Sequence, residues 1–158
     1  MLHELQGVEG VPKLYGVTDA TPPAIVMGLC GGVVLQALWE SGDVELCLLG
    51  LVKLCSTVRC LHARGVTHGD IHKSNVLVDV NDEGEVEITL LDFGLAERYT
   101  DAARQMDDVK EVVNTALQVL AWSSQLSGVR RSLLGADDLD TVEVLLVEAL
   151  RIHQAAAD

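Results

Sequence analysis

The sequence contains few aromatic residues and few basic ones. Phenylalanine, tryptophan and tyrosine make up 3% of the 158 residues, whereas 49% are hydrophobic, so a core must be built from aliphatic side chains. That hydrophobic share is too high for a disordered chain and fits one folded domain. With 11 basic against 24 acidic residues, the formal net charge is −13. Because nucleic acids and anionic membranes are bound through basic patches, we expect neither as a partner.

Signals for a cysteine metal cluster, for secretion or for membrane insertion are also missing. The four cysteines form no Cys-x-x-Cys pair, and Cys47, Cys55 and Cys60 fall in one apolar stretch. This spacing does not suit a structural zinc site and favours small core side chains in a reducing compartment. No basic segment followed by an apolar one opens the chain, and charged residues interrupt every apolar run. We therefore expect an intracellular, cytoplasmic protein.

The spacing of apolar residues predicts a single domain over residues 1–158. Two strands near its start lead into a glycine-rich connector that ends at residue 32. A long apolar helix is predicted over 44–64, with Asp43 as its N-cap and Gly65 as its stop. The other predicted elements are strands at 13–17, 24–27, 75–80 and 85–91, and helices at about 107–122 and 138–153.

Residues that could carry chemistry concentrate between the long helix and the next one. The segment His68-Gly69-Asp70-Ile71-His72-Lys73-Ser74-Asn75 precedes the second strand pair, and Asp92-Phe93-Gly94 follows it. At the open end of this pair, Asn75 and Asp92 could share metal ions while Asp70 faces a hydroxyl group. Each residue taken singly has an ordinary explanation, such as an Asx turn, a strand start or a strand exit. Their occurrence together, in this order, favours a site.

This order of motifs resembles the protein-kinase-like superfamily. In that superfamily a His-Arg-Asp triplet is followed five residues after its Asp by Asn, and later by Asp-Phe-Gly. The resemblance implies an α+β fold with a mainly helical C-terminal lobe over 33–158 and a few antiparallel strands. Residues 1–32 would be the strands and hinge of a truncated N-terminal lobe. It further implies that ATP is the co-substrate and Mg²⁺ the cofactor, with Asp70 as the catalytic base and Asn75 and Asp92 as metal ligands.

The same resemblance implies a nucleotide site and a set of supporting residues. Met27 would be the gatekeeper, Leu29 and Cys30 would belong to the hinge that bonds adenine, and Leu77 would lie under the adenine ring. The residues implied as structural supports are His68, which would pack on Phe93, together with Phe93, Gly94 and Asp108. Two ordinary alternatives stay open: the hinge as an unremarkable glycine-containing loop, and Asp108 as a helix N-cap.

The sequence departs from the protein-kinase pattern in several places. There is no Gly-x-Gly-x-x-Gly loop and no Val-Ala-Ile-Lys-like strand, and none of the four lysines stands where the phosphate-pairing lysine belongs. Gly69 replaces the usual Arg, and His72 replaces a Lys, as in aminoglycoside and choline kinases. Only thirteen residues separate Gly94 from Asp108, without Ala-Pro-Glu. Tyr99 and Thr100 could be modified, but no phosphorylation switch is expected.

Three functions remain open on the sequence. The first is an ATP-dependent phosphotransferase of protein Ser/Thr kinase type, with a protein or a small hydroxyl compound as acceptor. The second is a catalytically inactive kinase-like module or fragment that binds a partner through an exposed apolar surface. The third is a small-molecule kinase of the aminoglycoside or choline type. The intact Asp70, Asn75 and Asp92 favour the first and third, and the missing lysine favours the second.

Overall fold

The computed structural model describes residues 1–98 and 102–156, and it confirms the predicted α+β class. Helices dominate the second half of the chain, and short antiparallel strands occupy the first half and the centre. The helices are α1 (Leu35–Ser41), α2 (Val44–Ala63), α3 (Ala102–Leu120), α4 (Ser127–Leu133) and α5 (Leu139–Ala155). The strands are β1 (Leu14–Val17), β2 (Ile25–Met27), β3 (Val33–Val34), β4 (Val66–Thr67), β5 (Val76–Val80), β6 (Val86–Leu90) and β7 (Glu97–Arg98).

The long helix α2 forms the centre of the core, as its apolar pattern predicts. The carboxylate of Asp43 accepts a hydrogen bond from the backbone N–H of Leu46 at 3.1 Å, which caps the helix start. Leu48, Leu51, Leu54 and Leu61 of α2 are fully buried because the helix contacts α3, α5 and β6 on different sides. A helix covered on several sides has to be apolar around most of its circumference, which explains why its hydrophobic residues do not form a single stripe.

The central sheet has the strand order β3-β5-β6, and both pairs of neighbouring strands are antiparallel. Val78 and Ile88 are paired across β5 and β6, and both side chains are buried against α2. A Cβ at Gly50 of α2 would lie 2.8 Å from Cγ2 of Val78, so glycine is needed where the helix approaches the strand. The two polar segments of the sequence lie at the open end of this hairpin, one directly before β5 and the other directly after β6.

The first two strands form a separate antiparallel sheet, in agreement with the prediction. Leu14 pairs with Met27 and Val17 with Ile25, with an irregularity between Leu14 and Gly16. All three residues of β2 are exposed, which is unusual for apolar side chains in a strand. The hairpin therefore presents apolar surface and unpaired strand edges.

The predicted start of α3 needs correction, and two short helices were not predicted. Helix α3 begins at Ala102, not near residue 107, so Asp108 lies inside the helix and is not its N-cap. The first turn was missed because residues 102–104 are exposed and the half-buried Met106 alone gives no apolar period. The helices α1 and α4 have seven residues each, about two turns, which is too short for a periodic signal. Tyr99 and Thr100 lie outside the described residues, and the division at residue 32 stays a prediction.

Among the helices of the described residues, none is long and apolar enough to cross a membrane.

Candidate active site

The loop from His68 to Asn75 is fixed at both ends by strands. It leaves β4, which pairs with β7, and it enters β5, the middle strand of the central sheet. The carbonyl of Asn75 accepts a hydrogen bond from the backbone N–H of Leu91 at 2.7 Å. Because Asp92 follows Leu91 directly, this bond brings the end of the loop next to the Asp-Phe-Gly segment. The sheet thus places both motifs at the same end of the hairpin.

The buried side chain of Asp108, on α3, binds the first two residues of this loop. Its side chain is 0% exposed, and its two oxygens accept the backbone N–H groups of His68 at 3.0 Å and Gly69 at 2.8 Å. Oδ2 also lies 2.8 Å from Nε2 of His62 on α2. A buried carboxylate is tolerated when it is paired in this way. Asp108 therefore connects the loop to two core helices.

The next two N–H groups of the loop are also bound. The N–H of Asp70 donates to Nδ1 of His68 at 3.2 Å, and the N–H of Ile71 donates to Oε2 of Glu111 at 2.7 Å. Each N–H from His68 to Ile71 thus has a partner within the described residues. Glu111 did not emerge from the sequence, since a glutamate three residues after Asp108 is ordinary on a helix. Burial raises the pKa of its carboxyl group, and the nearby carboxylates Asp108, Asp70 and Asp107 add to the rise.

His68 joins the loop to the Asp-Phe-Gly segment. Since its Nδ1 accepts the N–H of Asp70, its Nε2 carries the proton and donates to the carbonyl of Leu91 at 2.9 Å. Its ring packs edge-to-face on Phe93, with the ring centroids 4.8 Å apart. Burial lowers the pKa of His68, which keeps the imidazole neutral near pH 7. These contacts fix the ring in one orientation between the two motifs.

Asp70 shares its surroundings with Asn75 and His72. Nδ2 of Asn75 lies 3.1 Å from the carbonyl oxygen of Asp70 and also 3.1 Å from its Oδ2. Nε2 of His72 lies 3.5 Å from Oδ1 of Asp70 and 3.1 Å from Nδ2 of Asn75. The side chain of Asp70 is 39% exposed, so its carboxylate remains open to an incoming molecule. The side chains of Asp70, His72 and Asn75 therefore contact one another on the solvent-accessible side of the loop.

Asp92 adopts the left-handed backbone conformation, with φ 58° and ψ 75°. Its Oδ1 accepts the N–H of Gly94 at 3.1 Å, and the residue is exposed. Across from it, Gly69 has φ +77°, and a Cβ there would lie 3.1 Å from the carbonyl oxygen of Leu95. A side chain at this position would be strained, which gives a local reason for glycine in place of arginine.

The four residues expected around a nucleotide do not line one cavity. Met27 lines an apolar cavity of 460 Å³ together with Leu14 and the Asp-Phe-Gly segment. Leu29, Cys30 and Leu77 line a second cavity of 330 Å³. The separation arises because β2 ends at Met27, so the alternation of strand side chains does not continue into the connector. Leu29 is exposed over its full side chain, which leaves the expected hinge open to solvent.

The family model described as "Protein kinase domain" matches residues 2–119, which include both motifs, the hairpin and most of α3. This chain belongs to the protein kinase family. The ovarian-specific serine/threonine-protein kinase Lok of Drosophila melanogaster is 40% identical to it over 91 residues. That match covers 54% of this chain and 19% of the relative, so the kinase-like chain spans about a fifth of Lok.

Mg²⁺ is the metal that kinases use with ATP, and the donors at this site suit it. Asn75 offers an amide oxygen and Asp92 a carboxylate, both hard oxygen donors. The three side-chain contacts of Asn75 in the described residues all involve Nδ2, which leaves Oδ1 for a cation. No group of three His, Cys, Asp or Glu residues able to hold a metal occurs in residues 1–98 and 102–156. Asn75 and Asp92 would offer two oxygen donors, and Mg²⁺ commonly takes one or two from a protein while it keeps several waters.

The lysines of this kinase-family chain are engaged elsewhere. Nζ of Lys73 lies 3.5 Å from the centre of the Trp39 ring, although Lys73 stands in the loop between β4 and β5. Lys110 pairs with Asp107 at 3.1 Å, and Nζ of Lys13 lies 5.2 Å from the centre of the Tyr15 ring. Lys53 borders a small cavity on the outer side of α2. These contacts agree with the absence of a recognisable phosphate-pairing lysine from the sequence.

Proposed function

We propose that this chain is an ATP-dependent phosphotransferase of protein serine/threonine kinase type. In this proposal the γ-phosphate of ATP passes to a hydroxyl acceptor, Asp70 is the base, and Asn75 and Asp92 hold Mg²⁺. The observation that carries it is the contact of Asn75 Nδ2 with both the carbonyl and Oδ2 of Asp70, each at 3.1 Å. This contact joins the proposed base to a proposed metal ligand with a defined geometry.

The arrangement supports phosphoryl transfer because that reaction depends on positioning and charge more than on covalent chemistry. Asp70, open to solvent on one side, can orient an acceptor hydroxyl and take its proton. Mg²⁺, when bound, would offset the negative charge on the phosphates. The match to Lok, a serine/threonine-protein kinase, supports a protein acceptor over a small hydroxyl compound. The four free cysteines support an intracellular, cytoplasmic location.

For the nucleotide, the proposal uses Met27, Leu29, Cys30 and Leu77 as the adenine-side residues. It requires the two cavities that they line to be bridged by one ligand, since Met27 lies in the first and the other three in the second. His68, Phe93, Gly94 and Asp108 act as supports, through the contacts described above. With a net charge of −13, ATP binding should depend strongly on the cation.

The test is calorimetric titration of the purified chain with ATP, with and without Mg²⁺. Asp92→Asn should weaken Mg²⁺-dependent binding at least about tenfold, because one charged ligand is lost. Asp107→Asn is the matched control, since Asp107 is an exposed aspartate paired only at the surface with Lys110. Asp70→Ala should abolish transfer to a serine/threonine peptide pool while ATP affinity is retained. Equal affinity for Asp92→Asn and the parent would exclude Asp92 as a ligand.

A second candidate, a binding module without catalysis, is favoured by the exposed hairpin β1–β2. Ile25 is 59% and Val17 62% exposed, and they are paired across the two strands. Apolar residues at unpaired strand edges are typical of surfaces that accept another strand. Absence of ATP binding at millimolar concentration, in a folded protein, would favour this candidate over the kinase.

A further inference from the structure

Two carboxylates one turn apart on α3 hold neighbouring parts of the catalytic loop. Asp108 accepts the N–H groups of His68 and Gly69, and Glu111 accepts the N–H of Ile71 at 2.7 Å. Residues three apart on a helix lie on the same face, so both side chains reach the same loop. Glu111 binds the N–H of the peptide group that directly follows Asp70, whereas both N–H groups bound by Asp108 belong to peptide groups before Asp70.

The peptide group between Asp70 and Ile71 is held on both sides. Its carbonyl accepts from Nδ2 of Asn75 at 3.1 Å, and its N–H donates to Glu111 at 2.7 Å. A peptide unit is planar, so two bonds at opposite ends fix the rotation of the whole plane. That rotation sets the backbone dihedrals next to the Cα of Asp70, and with them the direction of its carboxylate.

The surroundings of Glu111 are unfavourable for an unneeded carboxylate. It is partly buried on α3, and its charged neighbours Asp108, Asp70 and Asp107 are all acidic. Desolvation next to like charges costs free energy, which an apolar side chain would avoid. The hydrogen bond from the N–H of Ile71 offsets this cost.

We propose that Glu111 is a positioning residue for the catalytic loop, which orients Asp70 by fixing the Asp70–Ile71 peptide against Asn75. The inference rests on the proposed function for its catalytic meaning, whereas the fixing of the loop stands independently of it. Glu111 itself touches neither acceptor nor nucleotide. Its effect passes through the backbone to the side chain that does.

The test compares Glu111→Ala with Glu111→Gln, which keeps an oxygen that can accept the Ile71 N–H. Glu148→Ala, an exposed glutamate on α5, is the control. Hydrogen exchange of the Ile71 amide, followed by NMR, reports the loop without any need for activity. We expect exchange to accelerate at least about tenfold in Glu111→Ala and to stay near the parent rate in Glu111→Gln.

Transfer kinetics give the second readout. Glu111→Ala should lower kcat about 10- to 100-fold and leave KM for ATP within about twofold, because the base is misplaced while the nucleotide site is intact. Glu111→Gln should restore kcat to within about threefold of the parent. An equal loss in both variants, or a parallel loss of kcat and ATP affinity, would overturn the positioning role.

The two readouts separate this inference from the proposed function. If the parent chain transfers no phosphate, the proposed function fails, and the Ile71 amide alone decides whether Glu111 fixes the loop. Unchanged protection of that amide in Glu111→Ala would then refute the inference. If Glu111→Ala does not fold, Glu111→Asp takes its place, since it keeps the charge but withdraws the oxygens by one carbon–carbon bond.

Discussion

Replacement of Asp108 by alanine should produce the largest loss of stability of any single polar substitution around the site. The side chain is 0% exposed and has three partners: the N–H groups of His68 and Gly69, and Nε2 of His62. After the substitution the buried N–H of His68 has no acceptor, which costs about 1–3 kcal/mol. The bond between a charged carboxylate and His62 contributes about 1.5–3 kcal/mol more. Gly69 is exposed, so water replaces its partner at little cost.

The sum is about 2.5–6 kcal/mol, which brackets the loss of about 3–5 kcal/mol found when one partner of a buried charge pair is removed. A domain of this size is stable by about 5–15 kcal/mol in total, so Asp108→Ala should fold but unfold at a clearly lower urea concentration. Asp108→Asn should lose less, because one amide oxygen still accepts one loop N–H. Unfolding is followed by far-UV circular dichroism together with tryptophan fluorescence.

Asp107→Ala is the matched control for this prediction. Asp107 precedes Asp108 on α3, but it is 57% exposed and pairs with the exposed Lys110 at 3.1 Å. Exposed ion pairs of this kind contribute about 0.2–1 kcal/mol. If Asp108→Ala and Asp107→Ala had the same free energy of unfolding within about 0.5 kcal/mol, the loop would not depend on the buried carboxylate.

Two further predictions concern titration in the core. Burial lowers the pKa of His68 below 6.5, so the neutral ring contributes its full stability above that pH and loses it as the pH falls. The difference in unfolding free energy between the parent and His68→Gln, measured by urea titration, should therefore shrink between pH 7 and 5, by at most about 1.4 kcal/mol per pH unit. Burial raises the pKa of Cys47 and of Cys55 from 9.0 to about 12. Stability should therefore decline as the pH rises above 9. At pH 8 a disulfide reagent should modify exposed Cys60 in the native protein, but Cys47 and Cys55 only after unfolding; a prompt reaction of the native parent that is lost in the Cys47/Cys55→Ser variant would contradict their burial.

The sequence was sufficient for the parts of this fold that repeat or that carry fixed spacing. The helix α2 was predicted because an apolar face extends over twenty residues between an aspartate cap and a glycine. The hairpin β5–β6 was predicted because buried and exposed side chains alternate in it, with Ile88 and Leu90 facing the core. The start of α3 was not predictable in the same way, since residues 102–104 of its first turn are exposed and carry no apolar period.

The candidate site shows the same distinction. Asp70, Asn75 and Asp92 were proposed because their motifs and spacing resemble those of the protein-kinase-like superfamily. Glu111 was not found, because its partner is a backbone N–H forty residues away, and a backbone group leaves no trace in the residue pattern. The contact between Lys73 and Trp39 escaped for a similar reason: the two residues come together only when α1 packs beside the loop.

The loop and the nucleotide cavities can therefore be judged separately. Every N–H from His68 to Ile71 is bound within the protein, so the loop geometry requires neither ATP nor Mg²⁺ to form. The residues expected around adenine, by contrast, line two cavities beside a hairpin with exposed apolar residues. A chain that kept a protected Ile71 amide yet bound no ATP would retain the catalytic half of a kinase without its nucleotide half. Such a result would favour the binding module, whereas protection combined with Mg²⁺-dependent ATP binding would favour the kinase.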